Sequence, residues 1–239
     1  PVALDGKDII GQAKTGTGKT LGFGIPLLMD TLGPGEEGWD EDPASGSPQA
    51  LVILPTRELA KQVAEELSTA AAKRTVRIVQ VYGGRAYEPQ IEDLERGAEV
   101  VVGTPGRLID LMERGVLDLA HVTTVVLDEA DEMLDLGFLP DVEKILARTR
   151  ADRHTMLFSA TMPGAVVALA RRYMTRPTHI RAQDPGDEGM TVQTVQQVVY
   201  RTHSMNKVEV VSRILQAEGR GRTIIFARTK RTAARVADD

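Results

Sequence analysis

The sequence predicts an α/β fold in which helices cover a parallel β-sheet. Short apolar runs alternate with amphipathic segments of helix length, and the order strand, loop, helix repeats along the chain. The 239 residues are enough for one large domain, or for one domain and part of another. Apolar runs stay well below the ~18 residues of a membrane span, which disfavours a membrane protein.

The elements follow from these runs in chain order. Strands are predicted at 7–10, 51–54, 76–81, 99–102, 123–127 and 155–158, and helices at 57–72, 88–96, 107–114 and 163–174. Gly97 and Gly115 stand where helix-ending glycines are expected. The helix after Thr20 contains two glycines and Pro26, so we expect its first turns to be weak or kinked.

The chain is predicted to hold one complete domain and the start of a second. Residues 1–182 form the first domain, 183–190 a linker rich in Gly, Pro and acids, and 191–239 a truncated second domain with the same alternation. In the second part we expect strands at 191–200 and 223–226 and helices at 204–217 and from 230 onward. Because the chain begins with Pro1, we expect it to begin inside a longer protein.

Charge and cysteine content limit the class of protein. The net charge is −5, but segment 33–49 carries five acids without a Lys or Arg, and residues 201–239 contain nine basic against four acidic residues. Segment 33–49 is predicted to be an exposed, solvated loop, with a partner-docking loop as the alternative. With no cysteine and four scattered histidines, disulfides and thiolate metal sites are excluded, and the cytoplasm is the default compartment.

The segment GQAKTGTGKT, residues 11–20, indicates a phosphate-binding loop. It fits the pattern G-x-x-x-x-G-K-[ST] except that Ala13 replaces the first glycine, which costs little if that position needs no positive φ. A Gly-rich turn near a lysine is common, but G-x-G-K-T between a strand and a helix is not. We therefore predict ATP binding by Ala13, Lys14, Thr15, Gly16, Thr17, Gly18, Lys19 and Thr20, with the Thr20 hydroxyl on Mg²⁺.

The second signal is an apolar strand that ends in carboxylates, TVVLDEAD, at residues 124–131. Asp128 is placed to hold Mg²⁺, and Glu129 is placed to orient and deprotonate the attacking water. Asp131 lies two residues further on and is expected to bond to other loops. An acidic helix N-cap would be the preferred interpretation if the phosphate loop were absent.

Together with the two segments above, further motifs make the sequence resemble the DEAD-box family of ATP-dependent RNA helicases, superfamily 2. The likeness covers essentially the whole chain, and the motifs come in family order: AKTGTGKT (13–20), PTRELA (55–60), GG (83–84), TPGR (104–107), DEAD (128–131), SAT (159–161) and IIFARTK (224–230). The family also has alanine at the position of Ala13. The abundance of Arg, Ala and Val fits a bacterial source.

The resemblance implies two RecA-like domains that close on ATP, Mg²⁺ and single-stranded RNA. It assigns Lys19, Asp128 and Glu129 to catalysis, and Asp131, Ser159 and Thr161 to the coupling of hydrolysis to strand separation. It places Thr56, Arg57, Gly84, Thr104, Pro105, Arg107 and Thr229 along the RNA path. Taken one at a time, these motifs also have structural interpretations: Thr56 could cap the helix that follows it, Gly83-Gly84 could form a turn, and residues 104–106 could lead from a loop into a helix.

Two departures from the family pattern set the limits of these expectations. The adenine-reading segment would lie before Pro1 and the late motifs, including the arginine finger, beyond Asp239, so we expect the 239 residues alone to hydrolyse ATP very slowly. Aromatic residues make up 4% of the chain, so RNA binding should be largely independent of sequence. The rival interpretations are a related ATPase that acts on DNA and a catalytically weak RNA-binding clamp.

Overall fold

The computed structural model describes residues 2–13, 18–42, 44–181, 198–203, 206–219 and 221–238. The chain divides into two compact units, Pro1–Gly186 and Asp187–Asp239. The predicted linker and residues 191–197 lie outside the described residues, so the predicted domain boundaries stay predictions.

The first unit is built on a seven-stranded parallel sheet. In chain order the strands are β1 (Ile9–Gln12), β2 (Ala50–Ile53), β3 (Ile78–Val81), β4 (Val100–Gly103), β5 (Thr124–Leu127), β6 (His154–Ser159) and β7 (Thr178–Arg181). Their spatial order is β3-β4-β2-β5-β6-β1-β7, and every pairing is parallel. The carboxyl ends of all strands therefore lie along one edge of the sheet.

Helices cover both faces of this sheet. They are α1 (Lys19–Met29), α2 (Arg57–Ala70), α3 (Glu88–Glu95), α4 (Pro105–Glu113), α5 (Ala130–Asp135), α6 (Leu139–Leu146) and α7 (Gly164–Tyr173), preceded by a 3-10 turn at Ala3–Asp5. The apolar side chains of α1 and α2 pack on one face and those of α3 to α7 on the other. Successive strand residues such as Leu51 and Val52 alternate between the two cores, and both are fully buried.

The sequence-based elements of the first unit are confirmed to within two residues at each end. Gly97 and Gly115 have positive φ just after α3 and α4, as expected of helix-ending glycines. The expectation of a weak start to α1 is wrong, because the helix is continuous from Lys19 in spite of Pro26. Phe23 and Leu27 of this helix are fully buried, so core packing outweighs low helix propensity.

Other parts of the pattern were not anticipated. The short helices α5 and α6 were missed. In the second unit the described residues form α8 (Lys207–Leu215) and α9 (Lys230–Asp238), but the strand predicted at 223–226 is absent. Ile224 and Phe226 are 78% and 93% exposed. A short apolar segment gains a strand conformation only by pairing within a sheet, and the described residues offer it no partner strand.

The acidic segment 33–49 is exposed in its middle, at Glu37, Asp40 and Glu41, as expected of a solvated loop, but its two ends are held against the domain. Arg74 forms an ion pair with Glu36 and donates to the Leu28 and Thr31 carbonyls. The amide of Gln49 closes the base of the segment by bonding both the N–H and the carbonyl of Leu32, at 2.8 and 2.9 Å. An arginine outside the acidic run thus neutralises one of its acids.

None of the helices in the described residues has the length and apolar character of a membrane span.

Candidate functional site: the carboxyl edge of the sheet

The predicted motifs of the first unit all follow the carboxyl ends of strands. The phosphate loop follows β1, the DEAD segment β5 and the SAT segment β6, and these three strands are neighbours in the sheet. PTRELA, GG and TPGR follow β2, β3 and β4, which form the other half of the sheet. In parallel sheets ligands bind in the crevice outside the carboxyl ends of the strands. The topology therefore separates the edge into a nucleotide half and a second half.

A charge cluster marks the nucleotide half. Lys19 opens α1, and its Nζ lies 2.6 Å from Glu129 Oε1 and 3.1 Å from Asp128 Oδ1. All three side chains are less than a tenth exposed. Gly18 caps α1 with φ 77°, a conformation that favours glycine. The backbone at the start of α1 thus brings free N–H groups and one cation to the end of β5.

The chain before Gly18 is described only in part. Ala13 does not have positive φ, so the condition under which alanine costs little at this position is met. Its N–H donates to the Ser159 carbonyl at 3.2 Å. Lys14, Thr15, Gly16 and Thr17, predicted to bind ATP, lie outside the described residues.

The electrostatics of the cluster follow from two buried carboxylates that share one lysine. Burial raises the pKa of Asp128 and of Glu129, and the charge of Lys19 offsets only part of that rise. Burial alone lowers the pKa of Lys19, but the Asp128 charge and the Glu129 hydrogen bond outweigh it and hold the pKa above its ordinary value. The cluster has one more negative than positive group, so it can accommodate an additional cation.

The third acid of the DEAD segment is linked to the SAT segment. The Thr161 N–H and hydroxyl both donate to Asp131 Oδ2, at 2.8 and 2.7 Å, and the Asp131 N–H donates to Ser159 Oγ at 3.1 Å. Burial pushes the pKa of Asp131 upward, but the Thr161 and Ser159 hydrogen bonds prevail and lower it. The structure thus brings together the three residues predicted to couple the two segments.

Glu129 occupies an unusual backbone conformation. It is the N-cap of α5, with φ 53° and ψ 50°, and it caps the helix without a side-chain hydrogen bond. Left-handed backbone is costly for a residue with a long side chain, and such strain concentrates at functional sites. The conformation leaves the Glu129 carboxylate turned to Lys19 rather than to the helix it precedes. A simple acidic N-cap does not describe this residue.

The oxygen donors of the nucleotide half fit a hard divalent cation. A groove of about 420 Å³ is lined by Thr20, Asp128 and Glu129 beside Lys19 and residues of α2. Mg²⁺ is commonly held by one or two carboxylates together with substrate phosphates. Thr20 and Asp128 are suited to that role here, and Lys19 is suited to the phosphates.

The other half of the edge forms a second groove, of about 430 Å³. Among its lining residues are Thr56, Arg57, Thr104 and Arg107, all predicted for the RNA path. Gly84 has φ 78° and approaches Arg57, so that an added Cβ would lie 3.2 Å from its Nη1. Pro105 is buried as the first residue of α4. Three separate motifs therefore meet on one surface.

Several of these residues also have the structural roles considered as alternatives. Thr56 Oγ1 accepts from the Leu59 N–H at 3.3 Å and so caps α2. In the second unit, Thr229 accepts from the Thr232 N–H at 3.1 Å at the start of α9. These bonds do not depend on a bound ligand.

Arg107 lies inside the wall of the groove. It is only 7% exposed, both of its Nη atoms donate to the Arg85 carbonyl at 3.1 Å, and its guanidinium stacks 3.8 Å from the centre of the Tyr87 ring. Tyr87 in turn donates to Asp110 at 2.8 Å and carries Arg114 at 4.1 Å from its ring centre. The structure therefore uses this arginine to fix the chain after Gly84 onto α4.

Sequence reasoning did not single out Tyr87 or Asp110. Tyr87 lies three residues after the GG motif and Asp110 three after Arg107, which is one turn along α4. That helical spacing is the only sequence signal for Asp110.

Comparison with known proteins agrees with this arrangement. The family model for DEAD/DEAH box helicase matches residues 1–169. The chain is 44% identical over 238 residues to a "DEAD-box ATP-dependent RNA helicase CshA" of Geobacillus kaustophilus, covering 100% of this chain and 48% of that protein. It is 44% identical to "ATP-dependent RNA helicase DeaD" of Klebsiella pneumoniae, covering 100% of this chain and 35% of that protein.

A solved structure gives the same result. A DEAD box protein from Methanococcus jannaschii superimposes with a TM-score of 0.70 at 36% identity, covering 100% of this chain and 60% of that one. The chain spans about half or less of the curated relatives named above, and both are bacterial, in agreement with the source expected from composition. The chain has the α/β RecA-like fold predicted from its sequence, and it belongs to the DEAD/DEAH box helicase family.

Proposed function

We propose that the protein is an ATP-dependent RNA helicase that binds single-stranded RNA largely independently of sequence and couples ATP hydrolysis to local unwinding or remodelling. The observation that carries the proposal is the division of one sheet edge. At the ends of β1, β6 and β5 lies a charge cluster suited to Mg²⁺ and a nucleotide, formed by Lys19, Asp128 and Glu129. At the ends of β2, β4 and β3 lies a groove lined by Thr, Gly and Arg residues.

In this proposal the nucleotide half performs phosphoryl transfer to water. Lys19 and the N-terminus of α1 bind the phosphates, while Thr20 and Asp128 hold Mg²⁺, which neutralises charge on the phosphate oxygens when bound. Phosphates compete with Glu129 for Lys19, because that lysine is its hydrogen-bond partner at 2.6 Å. Glu129 is then free to accept a proton from the attacking water, and its raised pKa makes it a better base than an ordinary glutamate.

The second half binds the RNA backbone. Threonine hydroxyls, glycine N–H groups and one exposed arginine suit phosphate and ribose contacts, which position a strand without reading its bases. Arg57 is 60% exposed and paired with Glu58 at 2.5 Å. Exposed ion pairs contribute little to stability because water screens them, so a phosphate can replace Glu58 at small cost.

Coupling runs through the bonds of Asp131 to Ser159 and Thr161. These residues connect the loop after β5, which carries the proposed Mg²⁺ and water ligands, to the loop after β6. A shift of the DEAD segment on hydrolysis would therefore move the SAT segment as well. Thr229 of the second unit remains a proposed contact for the same RNA.

The test is steady-state ATP turnover of the full-length protein with mixed-sequence single-stranded RNA, with matching DNA, and with neither. We expect RNA, but not DNA, to stimulate ATP turnover strongly. Lys19→Ala should abolish turnover, and Glu129→Gln should retain nucleotide binding but lose turnover. Glu65→Gln, an exposed acid on α2 paired to Lys61 at 3.8 Å, is the matched control and should behave as the wild type.

Other outcomes would select a rival. Equal stimulation by DNA would favour a DNA-remodelling ATPase, and unchanged turnover in Glu129→Gln would favour a weakly catalytic RNA clamp. The slow hydrolysis expected of the 239 residues alone stays a prediction, which the same assay can test. A cytoplasmic location also stays a prediction.

A further inference from the structure

Strand β3, the first in the order of the sheet, has an open edge. Within the described residues it pairs with β4 alone. The carbonyls of Arg77 and Val81 accept from N–H groups at or next to the two ends of β4. Because the backbone groups of successive strand residues point in opposite directions, the N–H and carbonyl groups of Ile78 and Gln80 point away from the sheet. Both residues are only half-buried, so another strand can reach these four groups.

A groove of about 370 Å³ lies beside this edge. β3 forms one wall, and Arg85, Arg96 and Gly97 are among the residues that line the rest. Arg77 is fixed at the amino end of β3, because its guanidinium is paired with the fully buried Glu99 and donates to the Arg96 carbonyl. An added Cβ at Gly97 would collide with that guanidinium, so glycine leaves room for it. The groove therefore has one wall that is held in place without a ligand.

The charge of the groove is positive. Its lining contains three arginines and one acid, Asp93. The Arg85 side chain is exposed and forms no ion pair in the part of the chain that the structure describes. Arg96 is paired with Asp93 at 2.8 Å, but its side chain is 72% exposed, so water screens the pair and another carboxylate can replace Asp93 at small cost. Two guanidinium groups are thus available to an acidic ligand.

These features together select the kind of ligand. Charged side chains beside an open edge oppose pairing with a second copy of the same edge, since like charges would meet. The same arginines favour a strand that carries carboxylates. When a peptide adds to a sheet edge, main-chain hydrogen bonds supply affinity and side chains supply specificity. A nucleic-acid strand has no alternating N–H and C=O groups with which to continue the sheet, so the edge favours a peptide.

We propose that the edge of β3 is a docking site for an extended acidic segment of a partner protein, which adds to the sheet as a further strand. The backbone of that segment bonds to Ile78 and Gln80, and its carboxylates contact Arg85 and Arg96. This groove shares no lining residue with the two grooves at the carboxyl edge. The inference goes beyond the proposed function and does not depend on it.

The experiment is equilibrium binding of the full-length protein to a fluorescent peptide of alternating Glu and Thr, about eight residues long like an ordinary strand. One control peptide has Lys in place of Glu, and the other has the Glu sequence with alternate backbone nitrogens methylated. We expect the acidic peptide to bind and the lysine peptide not to bind. Methylation should weaken binding at least about tenfold, because it removes main-chain donors and leaves the charge unchanged.

Variants of the protein test the same contacts from the other side. Gln80→Pro removes the outward N–H but leaves the bonds of Val79 and Val81 to β4, so peptide affinity should fall about tenfold while RNA-stimulated ATP turnover persists. Gln80→Thr keeps the N–H and should bind as the wild type. Arg85→Gln should lower peptide affinity about tenfold, the size of one charge-assisted hydrogen bond. Arg172→Gln removes an exposed arginine outside the groove and should change nothing.

Three results would overturn the proposal. They are no measurable binding of the acidic peptide, equal binding of the methylated peptide, and displacement of the peptide by mixed-sequence single-stranded RNA. Equal binding would show attraction by charge without strand addition, and displacement would show a nucleic-acid surface. The methylated peptide is tested on the wild-type protein, so this outcome does not depend on the folding of a variant. A wild-type protein without RNA-stimulated turnover would overturn the proposed function and leave this inference standing.

Discussion

Replacing Arg107 by lysine tests whether this side chain positions the groove or contacts phosphate directly. A lysine keeps the positive charge but not the planar fork. In the wild type both Nη atoms donate to the Arg85 carbonyl at 3.1 Å and the guanidinium stacks on Tyr87 at 3.8 Å. The side chain is 7% exposed, so its bonds are not readily replaced by water.

The expected cost follows from these contacts. An ammonium can keep at most one bond to the Arg85 carbonyl, and it loses the flat stacking on the ring. One lost hydrogen bond of a charged donor and a weakened cation–π contact together lower the free energy of unfolding by about 1–3 kcal/mol. RNA affinity should fall about tenfold, since the chain after Gly84 is no longer fixed on α4.

The assay combines urea unfolding with RNA binding over a salt series. For Arg107→Lys we expect lower stability and weaker binding with an unchanged slope of log affinity against log salt, because no phosphate contact is lost. Arg57→Ala is the matched comparison, and its slope should fall by about 1 at nearly unchanged stability. A lysine variant with wild-type stability and wild-type RNA affinity would refute the positioning role.

Three further predictions concern the scaffold. Asp8 accepts hydrogen bonds from the buried Thr155 N–H at 2.7 Å and from the more exposed Thr175 N–H. Asp8→Ala should therefore lower the free energy of unfolding, measured with urea, by about 2–4 kcal/mol. A loss below about 1 kcal/mol would contradict this expectation. Arg74 holds the pKa of Glu36 low through its hydrogen bonds. These bonds therefore contribute to the free energy of unfolding above the ordinary glutamate pKa, and the contribution disappears as the pH falls through the lowered pKa of Glu36 in the folded protein. Between pH 7 and pH ~3 the wild type should therefore lose more stability than Arg74→Met, and equal losses would contradict the ion pair's role. Gly18 has a φ of 77°, and an added Cβ would meet no atom within 4 Å, so only the backbone conformation opposes a larger residue. Gly18→Ala should therefore lower the stability measured by thermal unfolding by about 1–2 kcal/mol. An unchanged stability would mean that the backbone relaxes.

Strands β1 to β6 were predictable because each contains a short apolar run, and runs buried on both faces need no alternation. No bounds were predicted for β7, Thr178–Arg181, which is exposed along its length and contains one apolar residue. The helices α5 and α6 were missed, since each is only two turns long and they are separated by Gly137, which leaves too short a window for a helical period. The strand expected at 223–226 failed for the opposite reason: its pattern is apolar, but strand formation depends on a neighbour that local sequence cannot supply.

In the site, the sequence identified chemistry but not contacts. It singled out Lys19, Asp128 and Glu129 from motif spacing, and their separations of 2.6 and 3.1 Å are consistent with that assignment. It could not show that Arg107 is buried against Tyr87, because those two residues follow different strands and meet only when α4 packs beside the GG segment. Asp110 went unnoticed for the same reason.

The sequence by itself determined the class of fold, the family and the residues able to handle phosphate, because these depend on composition and on spacing along the chain. Only the tertiary structure decided how the motifs divide between two grooves. The chain order of the strands runs from β1 to β7, whereas the sheet order is β3-β4-β2-β5-β6-β1-β7. Parallel pairing sends every carboxyl end to one edge, and the crossovers between strands place β1, β6 and β5 together and β2, β4 and β3 together.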